Sequence, residues 1–586
     1  MNPHVARIRP DRARLSASIT FGAVVAALVA LVVPLTATPA TASITPAAEG
    51  GMPQSALDLE APAGAREQIN FNREWKFARA DVPGAQATDF DDSSWSDIAL
   101  PHNFDMPYNV GGDVGGSEFY VGYGWYRKSF DVPAGWSDKK IEIEFEGVFQ
   151  VAEIYVNGKP VGTHEGGYSA FHYDITDFVE PGGENEIAVR VDNIWQQGLA
   201  PRAGDHQFTG GIYRDVYLNV TDPVHVAWYG TFVTTPALTN PDFDASAKNI
   251  DFSAYPTQSE LQANLDARRS NVSVATEVSN STASATDVSV VHEVKDADGT
   301  VLREFASEPQ TIPAGETTTI AAVTGGKDDT GSMLTDLDLW SPDDPALYSV
   351  TTTIVTDSTA DGAIGADAEA VDSFDTEFGF RSAQWRNDGF YLNGAKTLLV
   401  GANAHQDQGG WGNAVADEGF VRDLTQMKEA GMNLVRGAHY PHDPSYARAA
   451  DRLGIMVWDE GVFWGFGGKA GVNDDAQLRP SDWLKDSYPQ RSADWEKFDQ
   501  SVLDALEAMI RVDRNRPSVI NWSVGNEAIF TSNATLGRTK ALISRARDLA
   551  HQLDPTRKTG MGGAQRQDVD MLSVSDIAGY NGDGGA

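Results

Sequence analysis

The sequence predicts a multidomain chain: a β-sandwich, then an immunoglobulin-like β-sandwich, then a (β/α)8 TIM barrel that is incomplete after strand six. Three observations predict it. The chain has 586 residues, room for about three to four domains. Up to residue 384 short runs of alternating apolar and polar residues are separated by turn residues, with no long helical period. After residue 385 apolar strands alternate with amphipathic helices, the grammar of a parallel sheet.

The first sandwich spans 66–222. Lys140 to Glu146 alternates strictly and predicts a strand with one wet face. Glu153–Val156 and Lys159–Thr163 flank Asn157-Gly158, a hairpin with a type I′ turn. Glu186–Val191 is a further strand, and two sheets face to face are the natural solution. In 223–384 the strands are Ser270–Ser279, Asp287–Val294 and Leu347–Val355, as in an immunoglobulin-like sandwich. The polar stretch 240–268 predicts a surface insertion.

From 385 to 586 the strands are Thr397–Ala402, Asn433–Arg436, Ile455–Trp458, Val519–Val524, Thr559–Met561 and Asp576–Tyr580. Phe420, Leu424 and Met427 mark a helix with Asp417 as its cap and Gly431 as its stop. Leu503, Leu506 and Ile510 mark another before Pro517. A complete barrel takes about 250 residues, and this stretch is shorter, so the last quarter of the barrel is expected in sequence beyond residue 586.

Arg7, Arg9, Arg12 and Arg14 precede the apolar stretch Ile19–Leu35, and Ala40-Thr41-Ala42 follows as an A-x-A site. This order predicts a signal peptide over 1–42, with an Ala/Pro/Gly-rich linker at 43–65. No later run reaches the roughly 18 apolar residues of a spanning helix, so a secreted, extracellular protein is expected, not integral to the membrane once cleaved.

Composition excludes several functions. Lys plus Arg number 45 against 83 Asp plus Glu, a net charge of −38, which argues against nucleic acid or a polybasic membrane site. The absence of cysteine excludes disulfides, thiolate metal sites and a Cys nucleophile. Homo-oligomerisation is left open.

The chemistry concentrates at the strand ends. Asn521-Trp-Ser-Val-Gly-Asn526-Glu527 closes the fourth strand, at the rim where such barrels place catalysis. A carboxylic acid there can protonate a leaving oxygen if apolar walls, such as Trp522, or a second carboxylate raise its pKa. His405 and Asp407 follow strand one, Arg436, His439 and Tyr440 strand two, and Asp459 and Glu460 strand three. A merely structural barrel does not need polar groups from successive strands on one rim. Arg436 is expected to pair with a carboxylate. No tight ligand spacing links His405, Asp407, His439 and Asp459, so no metal or other cofactor is expected. Trp458 reads as core, whereas Trp411 and Trp464, on Gly-rich loops, read as platforms for sugar faces.

Asn433-Leu-Val-Arg436-Gly-Ala-His439-Tyr440-Pro441 and Asp513-Arg-Asn515-Arg-Pro-Ser-Val-Ile-Asn-Trp522-Ser-Val-Gly-Asn526-Glu527 resemble the two signatures of glycoside hydrolase family 2, closest to its β-galactosidases. Trp125-Tyr-Arg127, Val156-Asn-Gly158 and Gly211-Ile-Tyr-Arg214 resemble the family's jelly-roll sugar-binding domain. The resemblance implies a retaining hydrolase acting on terminal β-D-galactosides, with β-glucuronidase or a non-catalytic carbohydrate-binding protein as alternatives. It implies Glu527 as general acid/base, Asn526 as ligand of the sugar 2-hydroxyl, and His405, His439 and Asn109 as pocket residues, Asp205 more weakly. The family's nucleophile is a glutamate after strand seven, outside this sequence, so turnover by residues 1–586 alone is not expected. The magnesium positions of some relatives fall on Trp464 and Phe466, and Tyr580-Asn581-Gly582 departs from the family's strand-six tyrosine.

Overall fold

The computed structural model describes residues 65–105, 120–201, 209–240, 255–325, 331–358, 364–465, 487–489, 491–564 and 570–581. Asn109, Asp205, Phe466 and the expected signal peptide lie outside these.

The first sandwich pairs a four-stranded antiparallel sheet with a six-stranded one around one apolar core. The predicted hairpin is Val151–Val156 with Lys159–Glu165, and Asn157 and Gly158 take φ of 49° and 74°, as a type I′ turn requires. Lys140–Phe145 forms a strand, but its second face is not wet: Glu144 is 3% exposed and Glu146 2%. Trp228 Nε1 and Asn219 Nδ2 donate to Glu144 at 3.0 and 2.8 Å. Alternation therefore marks a polar face that other elements cover.

The second sandwich has a three-stranded sheet and a five-stranded one. Within the expected surface insertion, residues 258–266 form the helix Gln258–Asp266, started by a Thr257/Glu260 capping box. Leu261 and Leu265 pack into the sandwich core, so this part is structural.

The third region is a six-stranded parallel sheet in sequential order: β1 (Gly401–Ala404), β2 (Leu434–Gly437), β3 (Met456–Glu460), β4 (Val519–Asn526), β5 (Thr559–Gly562) and β6 (Ile577–Ala578). Helices α1 (Asp417–Glu429), α2 (Pro444–Leu453), α3 (Trp495–Asp513) and α4 (Leu536–Leu553) cover its outside. Ala416 rather than Asp417 is the N-cap of α1. Phe420, Leu424, Val502, Leu506, Met509 and Ile510 share its core with Phe149, Tyr168 and Tyr213 of the first sandwich. β1 and β6 are each paired on one side. Leu398 is 79% exposed, Val400 46% and Tyr580 63%, so β1 starts later than its apolar sequence suggests, and its approach is uncovered. Among the described residues no helix is long and apolar enough to cross a membrane.

Candidate active site

β4 explains the placing of the Asn526–Glu527 pair. Successive strand residues face opposite sides. Ser523 Oγ reaches Glu460 at 2.8 Å, whereas Trp522 Nε1 turns the other way, to Asp554 at 2.9 Å. Trp522 is thus fully buried against the helical layer and is no wall of the rim. The same parity separates the strand-three pair. Glu460 faces the other strand ends, while Asp459 sits towards Tyr446 and Asp513, buried, its pKa pushed well up by burial and by Asp513. Asp459 therefore leaves the expected rim set. Trp458 is 8% exposed, as expected of core.

Glu460 is the hub. Arg436 donates to it through Nε at 3.0 Å and Nη2 at 2.9 Å, and His439 Nδ1 lies 2.6 Å from Oε1. Burial alone would raise its pKa. The Arg436 charge, His439 and Ser523 outweigh burial and hold the carboxyl below its ordinary value, so it is ionised. The ionised carboxylate is an acceptor for a proton on His439 Nδ1, and Nε2 of the ring faces Asn526 Nδ2, a long contact of 3.5 Å.

The orientation of Asn526 follows from its partners. Arg436 Nη2 and Asn581 Nδ2 both donate to Asn526 Oδ1, at 2.6 and 2.8 Å. A guanidinium only donates, so the amide oxygen must face it and the NH2 is left for other acceptors. Asn581 is oriented by the same logic: Arg436 Nη1 donates to its Oδ1 at 2.9 Å, and its Nδ2 donates to Glu527 Oε1 at 2.9 Å. The motif passes over Asn581; its position three residues past the end of β6 was the available signal.

Glu527 is half-buried and takes φ of +51°, uncommon without glycine. Its N–H donates to Gly562 O at 2.9 Å, which holds the turn. Two glycines make room. A Cβ on Gly562 would lie 2.0 Å from Arg436 Nη2, and one on Gly563 would lie 2.6 Å from Glu527 Cγ.

His405 and Asp407 are exposed at the end of β1. His405 Nδ1 lies 3.3 Å from Tyr440 Oη, and its ring meets His439 edge-on at 5.5 Å. Trp464 is 5% exposed and lies flat on His439 at 5.5 Å and 12°, so it backs that ring and offers no open platform. Trp411 is 57% exposed, and its carbonyl accepts from Asn103 Nδ2 of the first sandwich at 2.7 Å. That sandwich also stacks Tyr168 on Tyr440, at 4.1 Å and 10°. Its Arg214 donates to Gln406 Oε1 at 2.9 Å and to Pro441 O at 2.6 Å. The first sandwich thus braces the rim loops after β1 and β2. Among the described residues no group of His, Asp and Glu is arranged to hold a metal ion.

A half-buried carboxylic acid beside an oriented amide, on the C-terminal rim of a parallel barrel behind two β-sandwiches, defines a glycoside hydrolase scaffold. The comparisons agree. Residues 384–581 match the glycosyl hydrolases family 2 TIM barrel domain, 68–223 the family 2 sugar binding domain, and 257–381 a third family 2 model. The chain belongs to glycoside hydrolase family 2. It is 29% identical to a β-galactosidase of Thermoanaerobacter pseudethanolicus over 88% of this chain and 58% of that protein. It is 27% identical to a β-glucuronidase of Bacteroides fragilis over 88% and 63%. The crystal structure of Bacteroides uniformis β-glucuronidase superposes with a TM-score of 0.69 at 29% identity, over 88% of this chain and 55% of that one. The chain spans about half the length of the curated relatives it matches.

Proposed function

We propose that this chain supplies the sugar-binding and acid/base half of an exported retaining glycosidase acting on terminal β-D-galactosides. The observation that carries it is Glu527, half-buried at the rim with one oxygen held by Asn581. In this reading Glu527 protonates the glycosidic oxygen and later takes a proton from the attacking water. Asn526 donates its free N–H to the sugar 2-hydroxyl, His439 and His405 line the bound ring, and Asp407 accepts from its hydroxyls. Retention needs a second carboxylate about 5–5.5 Å from the first. Glu460 is unsuited to attack, since Arg436, His439 and Ser523 occupy its oxygens. Residues 1–586 alone are therefore expected to bind without turnover, and turnover to need a further carboxylate.

The galactoside is preferred on the resemblance of residues 433–441 and 513–527 to the family's β-galactosidases. A glucuronide would need a cation for its carboxylate, and Arg436 is committed to Glu460, Asn526 and Asn581. The glucuronidase reading is kept by the relatives and structures that carry that name. A panel of p-nitrophenyl galactoside, glucuronide and mannoside, run with this chain and with any longer polypeptide that contains it, decides. Galactoside cleavage lost in Glu527→Gln supports the proposal, cleavage of the glucuronide alone shifts it to the second reading, and binding without any turnover reduces it to a carbohydrate-binding protein. Export rests on the basic, apolar and A-x-A order of residues 1–42; a mature N-terminus at or near Ser43 in the culture medium tests it.

A further inference from the structure

At the end of the barrel opposite the rim, a cavity of about 50 Å³ lies against the immunoglobulin-like sandwich. Arg381, Arg514 and Arg557 line it together with Thr235, Thr239 and Asn515, and no described carboxylate does. Asp554 reaches Arg557 from outside at 2.5 Å. Arg514 has Glu277 at 3.9 Å, a carboxylate already chelated by Arg511 at 2.9 and 3.0 Å, and feels Asp554 and Glu507 from further off. For Arg381 no described carboxylate lies within ion-pair distance. Its Nη2 donates to Val519 O at 2.5 Å, the same carbonyl that takes Arg557 Nε at 2.8 Å, so two guanidinium groups converge on one oxygen. Nε of both Arg381 and Arg514 is buried without a hydrogen-bond partner, and Arg514 as a whole is 5% exposed.

Like charges crowded away from water need a counter-charge. Burial, and then the Arg557 charge, pushes Arg381 down to about 9, and burial pushes Arg514 down to about 10. Both stay charged at neutral pH, so proton loss does not relieve the cluster. We propose that this cavity binds a small inorganic oxyanion of the phosphate or sulfate type, clamped by Arg381 and Arg514, with Arg557 adding charge while its own donors are held by Val519 O, Arg514 O, Asp554 and Arg516 O, and joining the immunoglobulin-like sandwich to the barrel floor. Guanidinium forks match tetrahedral oxyanions. The volume suits one such ion, since a water needs about 10–15 Å³ by this measure; a nucleotide or sugar phosphate is too large. In a chain of net charge −38 the general field repels anions, so capture requires a local cluster of this kind. The site is independent of the rim chemistry.

The test is calorimetric titration of the 586-residue chain, dialysed into chloride buffer, with inorganic sulfate and then inorganic phosphate at constant ionic strength. A saturable one-to-one heat is expected with either anion, with a Tm that rises by mass action. Arg381→Gln should weaken binding about tenfold to a hundredfold, the worth of a charge-assisted hydrogen bond. Arg381→Lys, which keeps the charge and loses the fork, should fall between the two, and circular dichroism checks that both variants fold. No heat in the unsubstituted chain overturns the proposal, because the cavity then holds water only. A Tm that climbs linearly with sulfate, equally in all three proteins, also overturns it, because excluded anions stabilise any folded chain.

Discussion

Replacing Glu460 by Ala tests the view that the rim is organised around one buried carboxylate. The substitution leaves the Arg436 guanidinium, on a side chain 14% exposed, without its carboxylate, and removes the acceptor of His439 and Ser523. Breaking a buried ion pair from one side costs about 3–5 kcal/mol, a large part of a domain's stability. Glu460→Gln keeps the shape but turns an NH2 towards a donor, and should cost about 1.5–3 kcal/mol, the value of one charge-assisted bond. Urea unfolding followed by tryptophan fluorescence reads this directly, because Trp458, Trp464 and Trp522 all report on the barrel. The pH dependence has a definite sign. A carboxyl whose folded pKa is lowered stabilises fully above its unfolded value, about 4.3, and that contribution is lost as pH falls through the folded value. The gap between wild type and variant should therefore be constant at neutral pH and close in acid. A shift of the barrel transition below about 1 kcal/mol, the range of a surface pair, would refute the reasoning.

In an active longer polypeptide, Glu527→Gln should cost more against a poor leaving group than against dinitrophenolate, which leaves without a proton; equal losses in kcat/KM would remove Glu527 as the acid. Gly563→Ala should cost about 1–2 kcal/mol for a left-handed backbone at φ +71°, and should lower activity further by pushing Glu527 aside, read as a kcat change larger than the shift in Tm implies. Asp192→Asn should stabilise the first sandwich. Burial raises the Asp192 pKa to about 6, so its stability contribution is full below the ordinary value of about 3.9 and is lost as pH rises through 6; melting curves from pH 4 to 8 should show the variant's advantage growing and then levelling off.

The fold class and much of the rim were legible because they rest on period and on strand ends. Asn526 and Glu527 sit where an apolar strand must stop, and Arg436 and His439 follow another such strand. What the residues could not give was parity and closure. Asp459 and Glu460 are adjacent and both acidic, and only the barrel's inside and outside tell them apart. Asn581 matters through Arg436 and Glu527, residues 145 and 54 positions away, which no local pattern encodes. The strand of Glu144 alternates as a wet strand does, yet Trp228 from the next domain covers it. The helix Gln258–Asp266 did carry a local signal, Thr257 and Glu260 as a capping box, but its polar surroundings hid two buried leucines.

The Tyr168–Tyr440 stack and the Arg214 bonds to Gln406 and Pro441 bear on how such proteins can be recombined. Transplanting this barrel onto a foreign N-terminal module would strip the loops after its first two strands of their external brace, so specificity would not travel with the catalytic segment. A chimera intended to retain it should carry residues 68–223 along, and the boundary for cutting belongs ahead of that module rather than between it and the barrel.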